Sequence, residues 1–251
     1  MAAIMVKSHS VDTAARAELV RELADFPVFG GVVLNYPVGG LNPHAVIETA
    51  RQGGRAVWMP TLSARHFVQR SHLTPMLQAA IPPGVRGLTV TRRGRLHSAV
   101  DKILDLIAGS DLILGSGHIS PEETAALFSE ARRRGVGRLV VTHPQAPYVG
   151  LTVAEMRALG EMGAYNEITS ALPLDERAAI IRAVGVRHCF LATDGGPAVS
   201  PPPAQWLSQF IAGLAERGFS REELRYMTVD VPSYLLRLDG HEERPIAPPG
   251  G

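Results

Sequence analysis

Short apolar runs alternate with longer amphipathic stretches along most of the chain. Residues 3–6, 32–34, 56–59, 112–114, 139–141 and 189–192 are unbroken by polar side chains, and a weaker run covers 164–168. Apolar runs this short, without inside–outside alternation, predict strands buried on both faces, as in parallel sheets. Segments with helical periodicity separate them: 14–23, 44–52, 99–107, helices opening at Pro121 and Val153, and 174–184. Ser120 to Glu123, Thr152 to Glu155 and Ser220 to Glu223 each place a hydroxyl three residues before a carboxylate, the spacing of a capping box at a helix start. Strand-then-helix repetition predicts an α/β fold with helices packed against a parallel sheet.

The rhythm breaks between residues 69 and 96. Pro82-Pro83-Gly84 and the Arg92–Arg95 segment predict turns around a short strand at 88–90, an excursion at the mouth of the fold. About seven main strands are counted, whereas a closed (β/α) barrel takes about eight. The expectation is therefore a (β/α)8-type TIM barrel that begins one strand late. A single domain is expected over 1–240, with a flexible tail over 241–251.

Composition narrows the setting. The 251 residues are 45% hydrophobic and 20% charged, with a formal net charge of +1. That balance suits a soluble globular domain and gives no electrostatic reason to expect nucleic acid or a membrane surface as a partner. The single cysteine, Cys189, rules out an internal disulfide, so the cytoplasm is the expected compartment. Cys189 and Trp58 are expected in the core and Trp206 on a helix face. Gly30-Gly31 and Gly39-Gly40 lack the spacing of a dinucleotide fingerprint.

Side chains with ligand chemistry follow directly on the apolar runs: Lys7 and His9, His118, His143, and Asp194. In a parallel α/β barrel the C-terminal strand ends share one face, where active sites form. Imidazoles and a carboxylate suit zinc and similar divalent ions, with manganese, iron and nickel as further candidates. The other histidines, 44, 66, 72, 97, 188 and 241, lack this placement and are expected on the surface or in loops.

Gly117-His118-Ile119-Ser120-Pro121, Val141-Thr142-His143-Pro144 and Thr193-Asp194-Gly195 resemble the amidohydrolase superfamily in order and position. Lys7-Ser8-His9, the 35–43 loop and Val57-Trp58-Met59-Pro60-Thr61 resemble a poorly characterised subgroup of predicted metal-dependent hydrolases. The resemblance implies one or two divalent ions, His118 and His143 as ligands, and Asp194 as ligand and proton carrier. It implies hydrolysis of a C–N or C–O bond in a small molecule. A decarboxylase or lyase on the same scaffold and an inactive, barrel-derived binding protein are the alternatives. The chain departs from the superfamily in having no His-x-His pair. Lys7 is open to three roles: bridging metals, holding a substrate carboxylate, or standing as a plain strand-end cation. An incomplete barrel points to a homo-oligomer.

Overall fold

A computed structural model describes residues 2–169, 172–196, 201–238 and 240–248. The chain divides into two compact units, Met1–Thr142 with Pro147–Gly150, and His143–Ala146 with Leu151–Gly251.

In chain order the first unit holds β1 (Ile4–Met5), α1 (Ala14–Ala24), β2 (Val28–Phe29), β3 (Gly31–Val33), α2 (Pro43–Arg51), β4 (Ala56–Trp58), α3 (Arg65–Arg70), α4 (Pro75–Gln78), β5 (Thr91–Arg92), β6 (Arg95–Leu96), α5 (Ser98–Gly109), β7 (Ile113–Gly115), α6 (Pro121–Arg133) and β8 (Leu139–Val141). β1 and β2 pair in parallel. Strands β3, β4, β7 and β8 form consecutive parallel pairs, with Gly31 opposite Ala56, Ala56 opposite Ile113, and Leu114 opposite Leu139. Every residue in these four strands is buried, which is why their sequences are apolar throughout and do not alternate.

Trp58 lies across its neighbouring strands. A Cβ on Gly115, its partner on β7, would fall 2.2 Å from the indole Cδ1, and one on Gly31 of β3 would fall 3.0 Å from Cζ3. The indole therefore occupies space that side chains on both adjoining strands would otherwise fill.

The excursion differs from expectation in one respect. Leu88 makes only an isolated bridge to Ala64, and the strands of this segment are β5 and β6, an antiparallel pair closed at Arg93-Gly94. The turn chemistry was legible, but the apolar 88–90 run is not a paired strand because its backbone bonds go elsewhere. Leu88 N–H donates to Ser63 O at 2.6 Å, and Val90 N–H donates to Glu123 Oε1 at 2.7 Å. Glu123 also closes the capping box of α6, so one carboxylate starts a helix and anchors the excursion.

The second unit holds α7 (Val153–Glu161), β9 (Ala164–Ile168), α8 (Leu174–Val184), β10 (Cys189–Leu191), α9 (Pro203–Ala215), α10 (Arg221–Arg225) and α11 (Val231–Leu236). A five-residue π-helical segment, Tyr226–Asp230, lies between α10 and α11. β9 and β10 are parallel, with Asn166 opposite Cys189. Buried Asn166 donates to Met156 O and to His188 O, both at 3.1 Å, tying α7 to the segment before β10. All three expected capping boxes are formed. Of the expected tail, residues 249–251 lie outside the described residues. Arg244 within it donates to Gly163 O at 3.1 Å and sits 4.7 Å over the Tyr165 ring.

His188 is a correction. The expectation of a surface or loop position fails on burial: it is packed against Gly160, carried inward by the short 3-10 turn Val186–His188. Arg187 Nε donates to its Nε2 at 3.0 Å. Burial, reinforced by the Arg187 charge, holds the imidazole below its ordinary range, so it is a neutral core histidine. Cys189 is fully buried and its thiol is pushed upward by desolvation. No helix among the described residues is long and apolar enough to cross a membrane.

Candidate active site

In the first unit the polar residues after β1, β3 and β4 form one hydrogen-bonded group. Asn35, directly after the buried β3 run, is itself buried and uses both ends of its amide. Its Nδ2 donates to His9 O at 2.9 Å and to Thr61 Oγ1 at 2.8 Å, and its Oδ1 accepts from Thr61 N at 2.8 Å and Ser63 N at 3.1 Å. Thr61 Oγ1 in turn shares a 2.8 Å hydrogen bond with His9 Nδ1. The Thr61 hydroxyl thus orients the His9 imidazole, while the Asn35 amide holds the His9 backbone carbonyl.

His118, after β7, is buried. Its N–H donates to Pro60 O at 2.9 Å, and its ring is packed among others, 5.0 Å from Phe67, 5.1 Å from Tyr148 and 6.3 Å from His9 between centroids. The Lys7 ammonium lies 5.9 Å from the centroid of the Trp58 ring, within cation–π range. The first unit therefore brings His9 and His118 near each other, with Lys7 placed over the indole of β4.

In the second unit His143 and Asp194 come together. His143 Nδ1 is 3.8 Å from Asp194 Oδ2 and 3.1 Å from Glu167 Oε2, on β9. The backbone N–H of His143 donates to the same Glu167 oxygen at 3.1 Å. Both His143 and Asp194 have left-handed backbones, with φ of 26° and 46°. Such angles cost energy outside glycine and persist where the surroundings over-determine them, often at functional sites. The other left-handed non-glycine residues include the C-caps Asp25 and Arg237 and the hairpin residue Arg93, where the local turn accounts for them.

The sequence pattern missed Glu167, Thr61 and the role of Asn35. Each lies in or just beyond a strand, the position that singled out the histidines, but a carboxylate inside the run Ala-Tyr-Asn-Glu-Ile reads as a solvent-facing strand residue.

The donors present are imidazoles and carboxylates. Their type suits a zinc-like ion, and a histidine whose Nδ1 is held by a carboxylate is the usual form of a metal-ligating imidazole. Yet no three His, Cys, Asp or Glu side chains among the described residues are gathered closely enough to hold an ion. The donors fit in kind but do not make a complete ligand set.

Residues 1–167 match DUF6282, a family of unknown function. The chain belongs to that family. No curated protein matches it. In three dimensions this DUF6282 member resembles the crystal structure of an amidohydrolase from Pseudomonas aeruginosa. The two are 11% identical, with a TM-score of 0.56 over 93% of this chain and 78% of that one. An amidohydrolase from Burkholderia multivorans with bound zinc is 10% identical, with a TM-score of 0.46 over 88% of this chain and 87% of that one. The first likeness establishes the fold: the chain has a TIM-barrel-like α/β architecture.

Proposed function

We propose that this chain is a hydrolase of the amidohydrolase type, adding water across a C–N or C–O bond of a small molecule. The observation that carries the reading is the pairing of His143 with Asp194 at 3.8 Å, both held in left-handed backbone. Asp194, the more exposed of the two at 35% of its side chain, takes the proton from the attacking water and delivers it to the leaving group. His143, buried beside it, presents an imidazole to the reacting atoms. A divalent ion, zinc before manganese, iron or nickel, would when bound lower the pKa of a water ligand and polarise the substrate carbonyl. His143 and Asp194, together in the second unit, are the donors proposed for it, with His9 and His118 of the first unit as separate candidates. The position of the Lys7 ammonium over Trp58 favours a charged amine that holds an anionic substrate group over a metal bridge.

The test is turnover of a panel of N-acyl amino acids, cyclic amides and lactones by protein expressed with supplementary metal. His143→Ala and Asp194→Asn should each lower turnover on the order of 10³-fold or more, and His241→Ala should leave it unchanged. Metal content of the His9→Ala, His118→Ala, His143→Ala and Asp194→Asn proteins tells which donors ligate. Equal activity in the His143, Asp194 and His241 variants, or neither turnover nor bound metal in the parent, overturns the reading.

A further inference from the structure

We infer that Glu167 is a positioning residue that fixes the tautomer of His143, and the inference rests on the hydrolase reading for its catalytic consequence. One oxygen of Glu167, Oε2, lies 3.1 Å from the backbone nitrogen of His143 and 3.1 Å from its ring Nδ1. The backbone nitrogen can only donate, and an ionised carboxylate can only accept. The proton in the ring contact therefore sits on Nδ1, and the neutral imidazole carries its lone pair on Nε2. This contrasts with His9, whose Nδ1 faces a threonine hydroxyl that either donates or accepts, so that contact fixes no tautomer.

Two donors from one residue converging on one oxygen also account for the backbone of His143. Turning φ away from 26° would swing the amide N–H and the ring apart and break one of the two bonds, so Glu167 holds the left-handed conformation as well as the ring. The carboxylate is only 14% exposed, which limits the competition of water for it. An imidazole whose lone pair sits on Nε2 is the form that accepts a proton or ligates a metal through that nitrogen.

The experiment is a long-range ¹⁵N–¹H correlation spectrum of the metal-stripped, full-length protein labelled at histidine, at about two pH units above the ordinary imidazole pKa. His143 is assigned by the signal lost in His143→Gln or, should that variant not fold, through ring couplings. The parent should show His143 protonated at Nδ1. Glu167→Ala should shift it mainly to the Nε2–H form, and Glu167→Gln should give a mixture. An Nε2–H tautomer in the parent, or an unchanged tautomer in Glu167→Ala, overturns the inference. Because the spectrum needs neither substrate nor metal, an absence of turnover beside the expected tautomer defeats the hydrolase reading alone.

Discussion

At the scale of single residues, Asn35 carries more of the structure than its chemistry suggested. Two backbone N–H groups, one carbonyl and one hydroxyl are satisfied by a single buried amide. Asn35→Ala leaves the N–H groups of Thr61 and Ser63 unpaired in the interior and should cost roughly 2–4 kcal/mol. Asn35→Asp keeps the acceptor but turns the donor end into a buried carboxylate oxygen facing His9 O and Thr61 Oγ1, so it should cost at least as much. Urea unfolding with an unchanged m-value checks this, and a clearly smaller loss in Asn35→Asp would contradict the role given to Nδ2. Lys7, His9, His118, His143 and Asp194 stood out in the sequence because each interrupts or follows an apolar run. Asn35, Thr61 and Glu167 did not, because an amide, a hydroxyl and a strand carboxylate are common at such places, and only contacts made across 24 to 26 residues give them their roles.

At the scale of elements, the sequence was most legible where local chemistry decides the outcome. Residues 164–168 and 174–184 fold as the expected strand and helix, and the three capping boxes form where hydroxyl and carboxylate are three residues apart. Legibility failed where a distant partner decided, as at 88–90, and where a single glycine divides two short strands, since β2 before Gly30 was not anticipated. The capping glutamates give a direct comparison. Among the described residues Glu155 serves only its own turn, bonding Thr152 N at 2.7 Å. Glu123 caps α6 and also accepts from Val90 and Thr91. Glu155→Ala should lower stability by about 1 kcal/mol, and Glu123→Ala by roughly 1–3 kcal/mol more, because buried Val90 N–H loses its acceptor. Thermal or urea unfolding of the two variants measures the difference, and equal losses would show that the excursion is held by something else.

At the scale of the molecule, the TIM-barrel-like α/β architecture anticipated from short buried strands alternating with helices is the one shared with a solved amidohydrolase structure at 11% identity. The lone cysteine gives a probe of the second unit. Cys189 is fully buried in β10 with its thiol pushed up by desolvation, so a thiol reagent should label the native protein only as fast as that core opens. Labelling should be slow, accelerate with urea, and follow unfolding seen by circular dichroism; rapid stoichiometric labelling without denaturant would show that β10 is accessible. The indole on β4 constrains how members of this family diverge. Any side chain gained at position 115 evicts it, and one gained at 31 also meets the Ala56 carbonyl oxygen at 2.2 Å. A lineage that keeps tryptophan at 58 must retain minimal residues on both flanking strands, while one that trades it for something smaller is released at position 115 but still meets the Ala56 backbone at 31. Sequences of relatives should therefore vary at 58 and 115 in concert, with Gly31 the most resistant to exchange of the three.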